Sequence, residues 1–188
     1  MKVKHLHISG VAEIIPARFG DERGYFSPVY NPSHFKNHGL HTDFCRLNQS
    51  FSALKGTLRG IHYQRPPNQE AKLLRVLQGK VWDLALDIRP NSPTFGQHVG
   101  VFLDAEQGNM LHLPAGTAHA FITLTENVLV EYLCSNEYTP SNECSIRWND
   151  PFFSIDWPIE PINLSEKDAQ APDFDPKHHL WPEHPLYK

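Results

Sequence analysis

A small set of side chains in this sequence is suited to moving protons and holding anions, and it falls in four segments. The first is the run Phe19-Gly-Asp-Glu-Arg-Gly-Tyr-Phe26, with Arg23 between aromatic residues. Alone, this run reads as a solvated turn. Beside an anionic ligand, its guanidinium would make charge-assisted hydrogen bonds while a ring packs alongside. The second segment runs from Arg46 to Lys72 and holds Asn48, Arg59, His62, Gln64 and Glu70. On an ideal strand Arg59 and His62 point to opposite faces. Both reach one ligand only if Gly60 forms a bulge or the strand curves strongly. A single strand histidine is ordinarily a packed residue, but the company of Asn48, Arg59, Gln64 and Lys72 turns the reading toward a site. In the third segment, Gly108 to His119, Pro114 and Gly116 make a tight turn ahead of His119. The fourth pairs Glu131-Tyr132 and Tyr138 with Ser165-Glu-Lys-Asp168. A tyrosine on an alternating strand is usually core. Yet a phenol with a pKa of about 10 keeps its proton at neutral pH and can donate it.

The elements that must position these groups are short strands. Ala71–Arg89 has period-two alternation on both sides of Gln78-Gly79, which reads as two strands joined by a tight turn, a hairpin. Further strands are expected near Lys4–Ile8, Val11–Pro16, Tyr25–Tyr30, Phe44–Phe51, Thr57–Gln64, Gln97–Leu103, Met110–Leu113, Ala118–Leu124 and Val128–Ser135. Strands of this length, with frequent Gly and Pro turns, predict an all-β sandwich or barrel. Helical turns are expected only at Asn31–Asn37, where Asn31 caps and Pro32 opens, and at Ser165–Ala169. The stretch from Ala171 to Lys188 is too Pro-rich for regular structure and is expected to wrap the surface.

The chain has 188 residues and fits one domain, with a core over about 8–168 and a Pro-rich extension over 170–188. Apolar residues make up 40% of it, enough to bury a core without disulfides. A net charge of −4 argues against nucleic acid and anionic membrane as general partners. Three cysteines without CxxC spacing predict free thiols in a reducing compartment. The opening MKVKHLHISG lacks the apolar core of a signal peptide, so a cytoplasmic location is expected.

Gly108 to His119 matches G-x5-P-x-G-x2-H, the second half of the cupin pattern. Together the segments resemble the dTDP-4-dehydrorhamnose 3,5-epimerase family, cupin-type nucleotide-sugar epimerases. The likeness runs from about Ile8 to Asp168 through DERGYF, GTLRGIHYQ, AKLLRVLQGKVWDLALDIR with SPTFG, LPAGTAHAF, EYLC…Y, WNDPFFSIDWP and SEKD. It implies a cupin-like jelly roll, a homodimer with exchange of an N-terminal strand, and no metal or organic cofactor. It implies catalytic roles for His62 as base, Asp168 as its support and Tyr132 as acid. It places substrate binding at Arg23, Asn48, Arg59, Lys72, His119, Glu143 and Lys167, with Phe19 and Tyr138 packing against the base. Arg46 is set beside Asn48 in the same binding region.

The implied chemistry suits these residue types. A 4-keto group acidifies the C–H bonds at C3 and C5 because the anion is an enolate. A neutral imidazole is a suitable base, and a carboxylate on its far nitrogen fixes the tautomer. The departures are Pro28 for a usual acidic residue, Arg46 for a usual Gln, one extra residue between Asn48 and Arg59, and AHAF for AHGF. They leave open the nucleotide (dTDP, CDP or GDP) and epimerisation at C3 alone, C5 alone or both. Two other readings also stay open. One is a metal-dependent cupin using His62, His119, Gln64 and Glu70; the other is a non-catalytic binding protein.

Overall fold

The computed structural model describes residues 1–181 and Leu186. Residues 182–185 and 187–188 of the Pro-rich extension lie outside the described residues. In chain order the strands are β1 Lys2–His5, β2 Ala12–Ile15, β3 Phe19–Asp21, β4 Gly24–Phe26, β5 Arg46–Ser52, β6 Leu58–Gln64, β7 Lys72–Gln78 and β8 Lys80–Asp87. They continue as β9 His98–Asp104, β10 Met110–Leu113, β11 Thr117–Thr123, β12 Val128–Cys134 and β13 Glu143–Ser145. The helices are α1 Pro32–Asn37, α2 Glu166–Ala169 and α3 Pro176–His179.

Two antiparallel sheets face each other as a jelly roll. One has the order β1-β2-β10-β7-β12-β5, the other β13-β6-β11-β8-β9. The apolar pattern explains the layering. Leu74, Val76, Leu111 and Val130 of the first sheet meet Val81, Ala85, Val101 and Leu103 of the second, and fill one half of the space between them. Trp82, Leu84 and Leu86 point the other way, off the back of the second sheet, where Trp148, Trp157, Phe174 and Trp181 cover them. β8 is therefore buried on both faces along almost its whole length. The back of the first sheet is covered in part by Phe35 of α1, Leu40 and Phe44. Asn31 caps α1 and accepts from Ser33 N–H and His34 N–H, with Pro32 opening the helix as the sequence predicts.

The hairpin expected at Gly79 does not form. β7 pairs with β10 and β12, whereas β8 pairs with β9 and β11, so the chain crosses between sheets at Gly79. The glycine has φ +79°, and a Cβ there would stand 2.5 Å from Thr125 Oγ1. Alternation identifies a strand but not its partner. The strand expected over Tyr25–Tyr30 stops at Phe26, because Pro28 lacks the N–H that a ladder needs. Among the described residues β3 and β4 pair only with each other. α3 occupies part of the C-terminal stretch expected to lack regular structure: Asp175 caps it, and His179, Leu180 and Trp181 are buried.

Candidate active site

Gly60 decides how β6 presents its side chains. Leu58, Ile61 and Tyr63 pack against the back of the second sheet. Arg59, His62 and Gln64 take the inner face. That requires a change of phase between Arg59 and His62, and the β6–β11 register shifts there: His119 stands opposite His62, but Phe121 stands opposite Arg59. Gly60 has φ +124°, and a Cβ on it would lie 2.5 Å from Ala120 Cβ. Of the two routes the sequence left open, a bulge at Gly60 or strong curvature, the register shift shows the bulge, and Arg59 and His62 line the same cavity.

That cavity is about 260 Å³ and has walls from both sheets. Arg59, His62 and His119 come from the second sheet, Ser50, Lys72 and Tyr132 from the first, and Lys167 and Asp168 from α2. A neighbouring hollow of about 140 Å³ shares His62, Lys72 and Tyr132 and adds Arg46, Glu70, Tyr138 and Glu143. Ser165 accepts from Asp168 N–H and so caps α2. This sets the Asp168 carboxylate against His62, with Nε2 at 2.6 Å from Oδ1. Gly60 N–H adds a longer bond to Oδ2 at 3.4 Å. Burial alone would raise the Asp168 pKa, but the bonds from His62, Ser165 and Gly60 outweigh it and hold the group below the usual carboxylate range. With the Nε2 proton directed to Asp168, Nδ1 remains as the basic nitrogen.

Tyr132 sits on the wall opposite His62. Burial raises its pKa, as do Cys134 and Glu70, and Arg46 and Arg59 pull against the rise without cancelling it. The phenol therefore stays protonated at neutral pH, the state a proton donor needs. A second imidazole–carboxylate pair stands beside the first: His119 Nε2 lies 2.9 Å from Asp83 Oδ1. At the mouth, Glu143 accepts from Tyr138 O–H at 2.7 Å and pairs with Lys167 Nζ at 2.7 Å. Burial would raise the Glu143 pKa, but these two partners and the charge of His62 bring it below its ordinary value.

A sequence profile of the family described as dTDP-4-dehydrorhamnose 3,5-epimerase matches residues 5–176. The chain belongs to this epimerase family. A Salmonella typhimurium protein named dTDP-4-dehydrorhamnose 3,5-epimerase is 46% identical over 170 residues, 89% of this chain and 92% of that one. The crystal structure of the epimerase of that name from Elizabethkingia anophelis is 41% identical, with a TM-score of 0.90 over 95% of this chain and 98% of the other. A Legionella pneumophila dTDP-6-deoxy-D-glucose-3,5-epimerase, solved in complex with dTDP-4-keto-L-rhamnose, is 40% identical with a TM-score of 0.85 over 92% of each chain.

Not every residue expected in this epimerase's site is there. Phe19 and Arg23 lie on the β3–β4 hairpin, outside both hollows of their own chain. The Arg23 side chain is 85% exposed and pairs only locally with Asp21. Arg46 reaches the hollow, but its guanidinium is held inside the protein by the Asn136 carbonyl and Glu70. Asn48 stands opposite Tyr132, with its amide on Cys134 Sγ at 3.7 Å. The four side chains available to a metal are committed elsewhere. His62 and His119 each meet a carboxylate, Gln64 bonds Asn68, Glu137 and Thr139, and Glu70 pairs with Arg46 and Lys72. Among the described residues no group of three or more His, Cys, Asp or Glu side chains is placed to hold a metal ion. Sequence reasoning missed Asp83 and the partners of Glu70. For Asp83 a signal existed: a carboxylate inside the apolar strand Val81–Ile88 needs a buried partner.

Proposed function

We propose that this chain inverts C3 and C5 of a dTDP-linked 4-keto-6-deoxy sugar, of the dTDP-4-dehydro-6-deoxy-D-glucose type, by proton abstraction and return. The observation that carries the reading is the placement of His62 and Tyr132 on facing walls of one cavity, with His62 held by Asp168. Inversion requires a base on one face of the sugar and an acid on the other.

His62 Nδ1 takes the proton from the carbon beside the keto group, and the electron pair enters the enolate. Asp168 stabilises the imidazolium so formed. The Lys72 ammonium, on the first sheet, offsets the negative charge that builds on the enolate oxygen. Tyr132 then delivers its proton to the opposite face of the carbon. His62 returns its proton to solvent and Tyr132 is reprotonated, so both groups are restored. Arg59 suits the diphosphate, and the exposed Tyr138 ring at the mouth suits the nucleotide base.

The functional unit of this proposal is a homodimer. The β3–β4 hairpin carries Phe19, Tyr25 and Phe26 on its surface, and the back of the first sheet exposes Leu47 and Phe51. A second copy would cover these apolar groups and bring Phe19 and Arg23 to the partner's cavity. The three thiols are free, which supports a reducing cytoplasm, and among the described residues no helix is long and apolar enough to cross a membrane.

Proton NMR in deuterated buffer tests the reading, with dTDP-, CDP- and GDP-linked 4-keto-6-deoxy sugars as separate substrates. Deuterium at C3 and C5 of the dTDP sugar, with the inverted epimer accumulating, is the expected result. Label at one carbon alone would narrow the activity to a single centre. Turnover of only the CDP or GDP sugar would move the nucleotide assignment, and no exchange with any of them would overturn the proposal.

A further inference from the structure

Glu70, on the connection into β7, is a cavity residue that the mechanism above leaves unused. Its side chain is 8% exposed and serves two cations: Oε2 lies 2.6 Å from Arg46 Nη2, and Oε1 lies 3.3 Å from Lys72 Nζ. Arg46 is fixed from its other side, where Nε donates to the Asn136 carbonyl at 2.7 Å.

Strand register explains why the three meet. β12 lies between β5 and β7, and its Cys134 stands opposite Arg46 on one side and Lys72 on the other. Cysteine is small, so the row Arg46–Cys134–Lys72 leaves space over its centre, which the Glu70 carboxylate fills. The next row on the same face is Asn48–Tyr132–Leu74. Arg46 is thus a diagonal neighbour of Tyr132, about 7–8 Å away across the strands. One carboxylate between two cations leaves one positive charge uncancelled. Without Arg46, Glu70 would neutralise Lys72 and draw its ammonium away from the substrate. Without Glu70, two poorly solvated cations would repel each other.

We propose that the Arg46–Glu70 ion pair is a positioning device for the acid half of the reaction: it keeps Lys72 in the cavity with its charge available, and it sets a guanidinium where it eases proton release from Tyr132. The inference rests on the epimerase reading and adds two positioning residues to it. The charged and titratable groups that line the two hollows with Tyr132 are Arg46 on β5, Cys134 on β12, Lys72 on β7 with Glu70 before it, Arg59, His62 and Tyr63 on β6, His119 on β11, Tyr138 and Glu143 at the mouth, and Lys167 and Asp168 on α2. Among these, Arg46 and Arg59 lower the phenol's pKa, while Cys134 and Glu70 add to the rise that burial causes.

The test is a pH titration of the unliganded full chain carrying ring-labelled [ζ-13C]tyrosine, with the Tyr132 signal assigned from Tyr132→Phe. Arg46→Gln should raise the Tyr132 midpoint, Glu70→Gln should lower it, and the double variant should fall between the two. With the dTDP-linked 4-keto sugar in deuterated buffer, Arg46→Gln should slow inversion more than it slows exchange, because a weaker acid returns its proton more slowly. Arg46→Lys, which keeps the charge, should recover most of that loss. If Arg46→Gln fails to fold, the double variant compared with Glu70→Gln carries the same test and should titrate higher. A Tyr132 midpoint unmoved by these substitutions, with inversion keeping pace with exchange, would overturn the inference. Wild-type protein that exchanges no deuterium would contradict the epimerase reading instead, and the titration would still decide whether the pair acts on Tyr132.

Discussion

An imidazole draws a proton from carbon effectively only when its other nitrogen is held and its charged form is stabilised. Asp168 does both for His62 across 2.6 Å. Asp168→Asn keeps the shape of the side chain but removes the charge. It should cut deuterium exchange by at least ~10²-fold while leaving the melting temperature within a few degrees. Exchange at the wild-type rate would show that the carboxylate only braces His62 and the Gly60 backbone. The convergence of His62, Lys72, Tyr132 and Asp168 on one cavity was legible in the sequence through the runs that carry the family resemblance. The Glu70 pairings were not, because a carboxylate on a connection reads locally as a solvated charge, and Asp83 was overlooked although its apolar strand signalled a buried partner. Only the sheet register shows that each is buried beside a cation or an imidazole. Arg46 lines the hollow as the sequence suggested, but its charge already meets the Glu70 carboxylate.

At the scale of elements, the sequence signalled a bulge or strong curvature in β6, because on an ideal strand Arg59 and His62 point to opposite faces, and the register shift shows the bulge. The crossing at Gly79 escaped it, since period two is the same whichever strand lies alongside. The strand β10 carries a separate consequence in His112, which is almost fully buried. Its Nδ1–H donates to the Gly10 carbonyl at 2.9 Å and its Nε2 accepts from His41 N–H at 3.1 Å. Burial pushes its pKa down to about 4; His41 and His5 add to the shift and Gly10 opposes it. The unfolded chain takes up this proton near pH ~6.5, but the native state does so only near the lower value. Stability conferred by neutral His112 is therefore complete above pH ~6.5 and drains as the pH falls toward about 4. Urea unfolding at pH 7 and pH 5 should show a loss on the order of 2 kcal/mol from this group. His112→Gln should lack that part of the loss. An identical pH dependence in the two proteins would remove His112 as its source.

Across the whole molecule, the rhythm of short strands was enough to announce an all-β sandwich or barrel, and the family resemblance narrowed it to the jelly roll observed. They said nothing about which side chains a single chain can bring to its own cavity. Phe19 and Arg23 stand apart from the cavity because their hairpin pairs with no other strand among the described residues. If the hairpin serves a partner, an Arg23→Ala protein and a His62→Ala protein, each impaired alone, should complement each other. After unfolding and refolding together, random pairing should leave about a quarter of the sites intact. No recovery above the single variants would show that each chain uses its own hairpin or none. The central claim is the division of labour between His62 and Tyr132, and Tyr132→Phe tests it most directly, because Phe preserves the packing of the ring. Deuterium incorporation and epimer ratio should be read by NMR on one sample of the dTDP-linked 4-keto sugar. The account predicts that Tyr132→Phe retains measurable exchange and loses most of the inverted product. Inversion equal to that of the wild type would contradict it.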